Sequence, residues 1–76
     1  MKTVSISLSS IDKVKAFVNL ISKQNGEFDL VSDRYVIDAK SIMGIFSLNL
    51  SKPLTLNIHD DEAYANIASE MAEFLA

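Results

Sequence analysis

Within 76 residues the apolar positions switch repeatedly between a period of two and a period near 3.6. That switching most restricts what the chain can become, because the first spacing suits a half-buried strand and the second an amphipathic helix. Val4, Ile6 and Leu8 alternate with Thr3, Ser5 and Ser7, which predicts a first strand. Ile11, Val14, Phe17, Val18 and Ile21 then recur at helical spacing, with Lys13, Lys15, Asn19, Ser22 and Lys23 on the opposite side. The result is a helix with one stripe toward a core. Ser9 and Asp12, three apart at its start, resemble a capping box, in which the hydroxyl meets an orphan N–H and the carboxylate reaches back.

Asn25-Gly26 ends that helix, since glycine suits the left-handed position after a helix. Glu27 to Val31 reads as a second strand with Phe28 and Leu30 on one face, and Tyr35, Val36 and Ile37 as a third. The turn residues Ser32-Asp33 leave so short a link that the two strands are expected to form an antiparallel hairpin. Pro53 opens a further alternating run, Leu54, Leu56 and Ile58 against Thr55 and Asn57, and proline is tolerated at a strand's first residue. Asp60 is expected to cap a last helix whose stripe is Tyr64, Ile67, Ala68, Met71 and Leu75, with Asp61 and Glu62 at the positive end of its dipole. Glu70 and Glu73 oppose the dipole at the other end, so the final turn is expected to fray. The order is strand, helix, strand, strand, helix, strand, helix. One-faced strands need cover on that face, which gives an α+β fold with one sheet and helices on one side. A chain of this length is expected to form a single domain over residues 1–76.

Composition narrows the chemistry. The formal charge is −3, with lysines scattered from Lys2 to Lys52 and Arg34 the only arginine. Nucleic-acid binding needs clustered cationic charge, so no nucleic-acid partner is expected. There are no cysteines, hence no disulfide framework, thiolate metal site or thiol nucleophile. No apolar run is long enough to span a bilayer, and the N-terminus lacks the pattern of a signal peptide, so an intracellular, cytoplasmic protein is expected.

Residues 39–48, Ala-Lys-Ser-Ile-Met-Gly-Ile-Phe-Ser-Leu, place the hydroxyl of Ser41 where a short helix to about Leu48 begins. Gly44 inside it lowers helicity by about 1 kcal/mol relative to alanine. Ile42, Met43, Ile45, Phe46 and Leu48 cannot all lie on one buried stripe. Helical spacing groups Ile42, Met43 and Phe46 apart from Ile45 and Leu48, and this group is expected to face water as a docking surface, methionine being adaptable in such surfaces.

The run Lys40-Ser41-Ile42-Met43-Gly44-Ile45-Phe46-Ser47-Leu48, with the order of elements along the chain, resembles the HPr family, the small phosphocarriers of the bacterial sugar phosphotransferase system. The resemblance implies an open-faced β-sandwich of order βαββαβα, a four-stranded antiparallel sheet with three helices on one face. Family members carry G-I-H-A-R-P at the loop entering the first helix, and its histidine takes a phosphoryl group from enzyme I and passes it to sugar-specific partners. Here that stretch is Leu8-Ser9-Ser10-Ile11-Asp12-Lys13. Histidine, arginine and proline are all missing, and gap-free alignment puts Ser10 opposite the histidine, with Asp12 reached by a small shift.

The implied function is an HPr-like protein that has lost histidine phosphotransfer, is not an enzyme, needs no cofactor or metal, and acts as a binding and regulatory module through the Ser41 helix. Many Gram-positive members are phosphorylated at the matching serine by a dedicated kinase, and the modified form binds a transcription factor that controls carbon catabolism. The expected partners are phosphotransferase components, such a kinase or such a transcription factor, and the expected state is a monomer or weak homodimer. Two readings stand beside it. One is a phosphoryl carrier using Asp12 as an acyl phosphate, Ser10, or the only histidine, His59. The other is a structural dimerisation module built on Ile42, Met43 and Phe46. Ser10 and Asp12 also read as plain capping residues, and His59-Asp60-Asp61-Glu62 as a helix start rather than a metal site.

Overall fold

The computed structural model describes residues 2–33 and 35–76. Its elements follow the order expected from the sequence: β1 (Lys2–Ile6), α1 (Ile11–Ser22), β2 (Phe28–Ser32), β3 (Tyr35–Asp38), α2 (Ile42–Phe46), β4 (Leu54–Ile58) and α3 (Asp61–Met71), which tightens into a 3₁₀ turn at Ala72–Phe74. All strand pairs are antiparallel and the strand order is β1-β4-β2-β3. The fold is therefore α+β, with β4, distant in sequence from β1 and β2, inserted between them.

The register sorts side chains by face. Val4, Leu56, Leu30 and Ile37 stand opposite one another across the four strands and form an inward row. One residue along, Thr3, Asn57, Asp29 and Asp38 form the matching outward row, because successive side chains alternate faces. Inward Ile6, Phe28, Leu30, Leu54, Leu56 and Ile58 are buried, and Val14, Phe17 and Ile21 of α1, Ile45 of α2 and Ala63, Ile67 and Met71 of α3 close over them. Phe74 completes this core, its ring edge-on to Phe17 at 5.7 Å and 75°. Among the described residues no polar or charged side chain is buried.

Several expectations are corrected. The cap of α1 is Ser10, not Ser9: its Oγ accepts from Lys13 N–H at 3.1 Å. Asp12 is therefore the second helical residue, one too early to close a capping box. Ile11, assigned to the core stripe, is 61% exposed. In α3 the buried positions are Ala63, Ile67 and Met71, with Tyr64 half-buried and Ala68 and Leu75 exposed. The final turn winds to three residues per turn, which turns Phe74 rather than Leu75 inward. The segment beyond it is tied to β1 by a bridge between Ile6 and Leu75, with Ser7 N–H donating to Phe74 O (2.7 Å) and Ala76 N–H to Ser5 O (3.0 Å).

Candidate functional site

At the loop entering α1, Leu8 is buried and anchors the chain, while Ser9 and Ser10 are exposed. Ser10 has extended backbone (φ −137°, ψ 158°), as a helix cap requires. Asp12 stands exposed in the first turn of α1, where its charge suits the positive end of the dipole. A phosphoryl relay here would have to use a serine ester or an acyl phosphate. No imidazole comes near: β1 and β4 are antiparallel, with Ile6 opposite Leu54 and Lys2 opposite Ile58. His59 therefore follows the far end of β4, roughly 14 Å along the sheet from the end that feeds α1.

Residues 38–41 are fastened from several sides before α2 begins. Ala39 N–H donates to Phe28 O (2.8 Å), Lys40 N–H to Asp38 Oδ1 (2.9 Å) and Ser41 N–H to Asp38 O (3.0 Å). Lys40 Nζ donates to Gln24 O (2.7 Å) and Gly26 O (3.2 Å) and lies over the Phe28 ring at 5.5 Å. The lysine of the 39–48 run therefore holds the loop between α1 and β2. That role is silent in the sequence, because the partners are backbone carbonyls, which leave no mark in residue identity.

Ser41 caps α2, its Oγ accepting from Gly44 N–H at 3.2 Å, and it remains exposed. Gly44 sits in a tight place. A Cβ there would lie 3.2 Å from Ser41 Oγ and 3.3 Å from Ile37 Cδ1, so those two side chains would have to give by a few tenths of an ångström to admit a larger residue. On the helix, Ile45 is buried, and Ile42 and Leu48 are half-buried against the core. Met43 is 77% exposed and Phe46 41%. The exposed patch is thus Met43 and Phe46. Ile42, which helical spacing had grouped with them, turns toward the core because α2 packs over both α1 and β3.

His59 has a partner that the sequence did not suggest. Its Nε2 lies 2.7 Å from Asp29 Oδ2, on the outward sheet face, and its backbone N–H donates to Glu27 O at 3.0 Å. The pair joins residues thirty apart through strand register, past the acids that adjoin His59 in the chain. Those acids serve α3: Asp60 caps it, with Oδ1 accepting from Glu62 N–H at 2.9 Å. Among the described residues no cluster of three metal-ligating side chains forms. An open hollow of about 270 Å³ beside the pair is lined by Glu27, Asp29 and Asp38 with Gly26, Phe28 and Lys40. It is poorly suited to an anion, since Lys40 is already bound to two carbonyls.

Asp29 and Asp38 are direct cross-strand partners, and like charges so placed repel. Asp38→Asn keeps an acceptor for Lys40 N–H and removes the repulsion. It should raise stability by about 0.5 kcal/mol, read as a higher urea midpoint at unchanged slope. A midpoint that falls would mean the carboxylate charge is needed there.

The geometry can be set beside solved proteins. HPr-C-His from Thermoanaerobacter tengcongensis is 28% identical to the chain and superposes with a TM-score of 0.78, over 96% of this chain and 92% of that one. The chain is HPr-like. The phosphocarrier protein HPr from Bacillus anthracis str. Ames shares the fold at a TM-score of 0.72 and 23% identity, over 96% of this chain and 93% of its own. No family model and no curated protein matches the sequence. The open-faced architecture expected from the resemblance is thus the architecture of this HPr-like chain, with three helices covering one face of a four-stranded antiparallel sheet. No helix among its described residues is long and apolar enough to cross a membrane.

Proposed function

We propose that this HPr-like chain is a cytoplasmic component of the bacterial phosphoenolpyruvate-dependent sugar phosphotransferase system that has lost histidine phosphotransfer and works as a protein-binding, regulatory module through α2. One observation carries the reading. Met43 and Phe46 stand in water next to a capping serine, while the loop entering α1 offers only Ser10 and Asp12 where a phosphoryl carrier needs an imidazole. Its partners would be other phosphotransferase components, a regulatory kinase acting on Ser41, or a transcription factor that reads the modified form, and the chain would catalyse nothing itself. Phosphorylation at Ser41 would add close to two negative charges and three acceptor oxygens beside the apolar patch, enough to change which surface can dock there.

The test has two arms. Incubation with phosphoenolpyruvate and enzyme I should leave the intact mass unchanged. Met43→Lys should weaken capture of phosphotransferase partners by tenfold or more, about 1.4 kcal/mol, without changing the folded state. Ser41→Asp should alter partner affinity more than stability, because aspartate also caps helices. Gain of a phosphoryl group would restore the carrier reading, at Asp12 or His59 if it is acid-labile and at Ser10 if it is an acid-stable ester. Capture indifferent to Met43→Lys would remove α2 as the docking element.

A further inference from the structure

The two edges of the sheet are treated differently. At the β3 edge the strand is only four residues long and leads straight into a hydrogen-bonded turn at residues 38–41. Short edge strands resist intermolecular pairing. The β1 edge has no such protection of its own, as five alternating residues run unbroken from Lys2 to Ile6. What covers its Ile6 end is the segment that leaves α3. Phe74 O accepts from Ser7 N–H, Ala76 N–H donates to Ser5 O, and Leu75 bridges Ile6.

We propose that residues 74–76 are a strap that guards the Ile6 end of the β1 edge, and that the edge, once uncovered along its full length, pairs with β1 of a second copy of this chain. Two features make the strap easy to release. First, α3 ends unfavourably: no basic residue stands in its last turn, Glu70 and Glu73 lie near the negative end of its dipole, and the 3₁₀ turn that follows has no side-chain cap. Second, the strap is held by a single buried anchor, Phe74 against Phe17, while Leu75 is 47% exposed and Ala76 is exposed. Segments with one apolar anchor and exposed backbone bonds open locally before the whole fold does.

Opening would have a defined result. Ser5 C=O, on a strand whose other side is paired with β4, and Ser7 N–H, just beyond that strand, would lose their partners. Unpaired strand-edge groups are a template for another strand. A second β1 fits better than an arbitrary segment, because it brings the same extended, alternating residues and, in antiparallel self-pairing, the same unpaired groups, so that two identical edges satisfy each other about a two-fold axis. The strap also reaches the loop that carries Ser9 and Ser10, since Ser7 is the residue it holds. Its release would loosen that loop while β2, β3 and β4 remain paired.

The experiment compares the unaltered chain with Ala76→Pro and Phe74→Ala. Leu75 already has extended backbone (φ −64°, ψ 135°), the conformation a following proline favours, so Ala76→Pro deletes one strap hydrogen bond and leaves the core alone. Ser7 amide protection should fall about fivefold in Ala76→Pro, the effect of one lost hydrogen bond, with β2 and β4 amides unchanged. Sedimentation over a concentration series should show dimer in Ala76→Pro at concentrations where the unaltered chain is monomeric, and more in Phe74→Ala if that variant remains folded. Unchanged Ser7 protection in Ala76→Pro would show that the strap does not control the edge. Faster exchange without self-association would show that the edge needs no guard.

Discussion

Phe17→Ala should abolish or nearly abolish the folded state. Phe17 is fully buried at the middle of α1 and meets Phe74 edge-on, where the ring hydrogens of one face the π cloud of the other. Truncating a buried phenylalanine costs about 3–5 kcal/mol in lost transfer energy and cavity. A chain of this length has on the order of 4–11 kcal/mol in total, so one substitution removes a large part of it. The aromatic pair also carries about 0.5–1.5 kcal/mol beyond its buried area. Urea unfolding followed by circular dichroism gives the check: the midpoint should fall steeply or the native baseline vanish, while Phe17→Leu should retain most of the stability. A loss below about 1.5 kcal/mol for Phe17→Ala would mean that α1 moves in to fill the space, against the close packing of protein interiors.

The second large effect is expected at Gly26. Its φ of +93° is a conformation that side-chain-bearing residues rarely adopt. A Cβ there would also stand 3.1 Å from the Cβ of Asp60, the cap of α3. Gly26→Ala should therefore cost about 2–4 kcal/mol, combining backbone strain with displacement of the cap. The two parts separate in a double-mutant cycle. Asp60→Gly removes the obstructing Cβ and still leaves a serviceable cap, so Gly26→Ala should cost less in that background. Strict additivity would show that backbone strain alone sets the cost.

Much of this fold was legible in the sequence because the strands have one clean apolar face. Leu54, Leu56 and Ile58 alternate without interruption, and their register against β1 and β2 puts all three inside. The errors cluster at helix ends, where a one-residue change of phase reverses a side chain. Ser9 and Ser10 are chemically equal as caps, and only the path of the chain after buried Leu8 chooses Ser10. Choosing it pushes Ile11 into water. A constant 3.6 period points to Leu75, whereas the turn tightens to 3.0 and brings Phe74 inward. At the candidate site, the exposure of Met43 and Phe46 followed from their number on so short a helix. The half-burial of Ile42 did not, because it depends on how α2 tilts over α1 and β3. The His59–Asp29 pair and the Lys40 anchor are products of register and loop path, which residue spacing along the chain does not encode.

The strand order carries a consequence for synthesis. β4 separates β1 from β2, so neither strand has its inner neighbour until residues 54–58 have been made. α1 and the β2–β3 hairpin can form from nearby residues, but β1 must wait as a loose end until β4 is made. Assembly then hinges on one late insertion that joins two sides already present, a contact between distant parts of the chain and hence a slow one for so small a protein. A chain cut short before Leu54 would be left with a half-built sheet, the inner edges of β1 and β2 both unpaired.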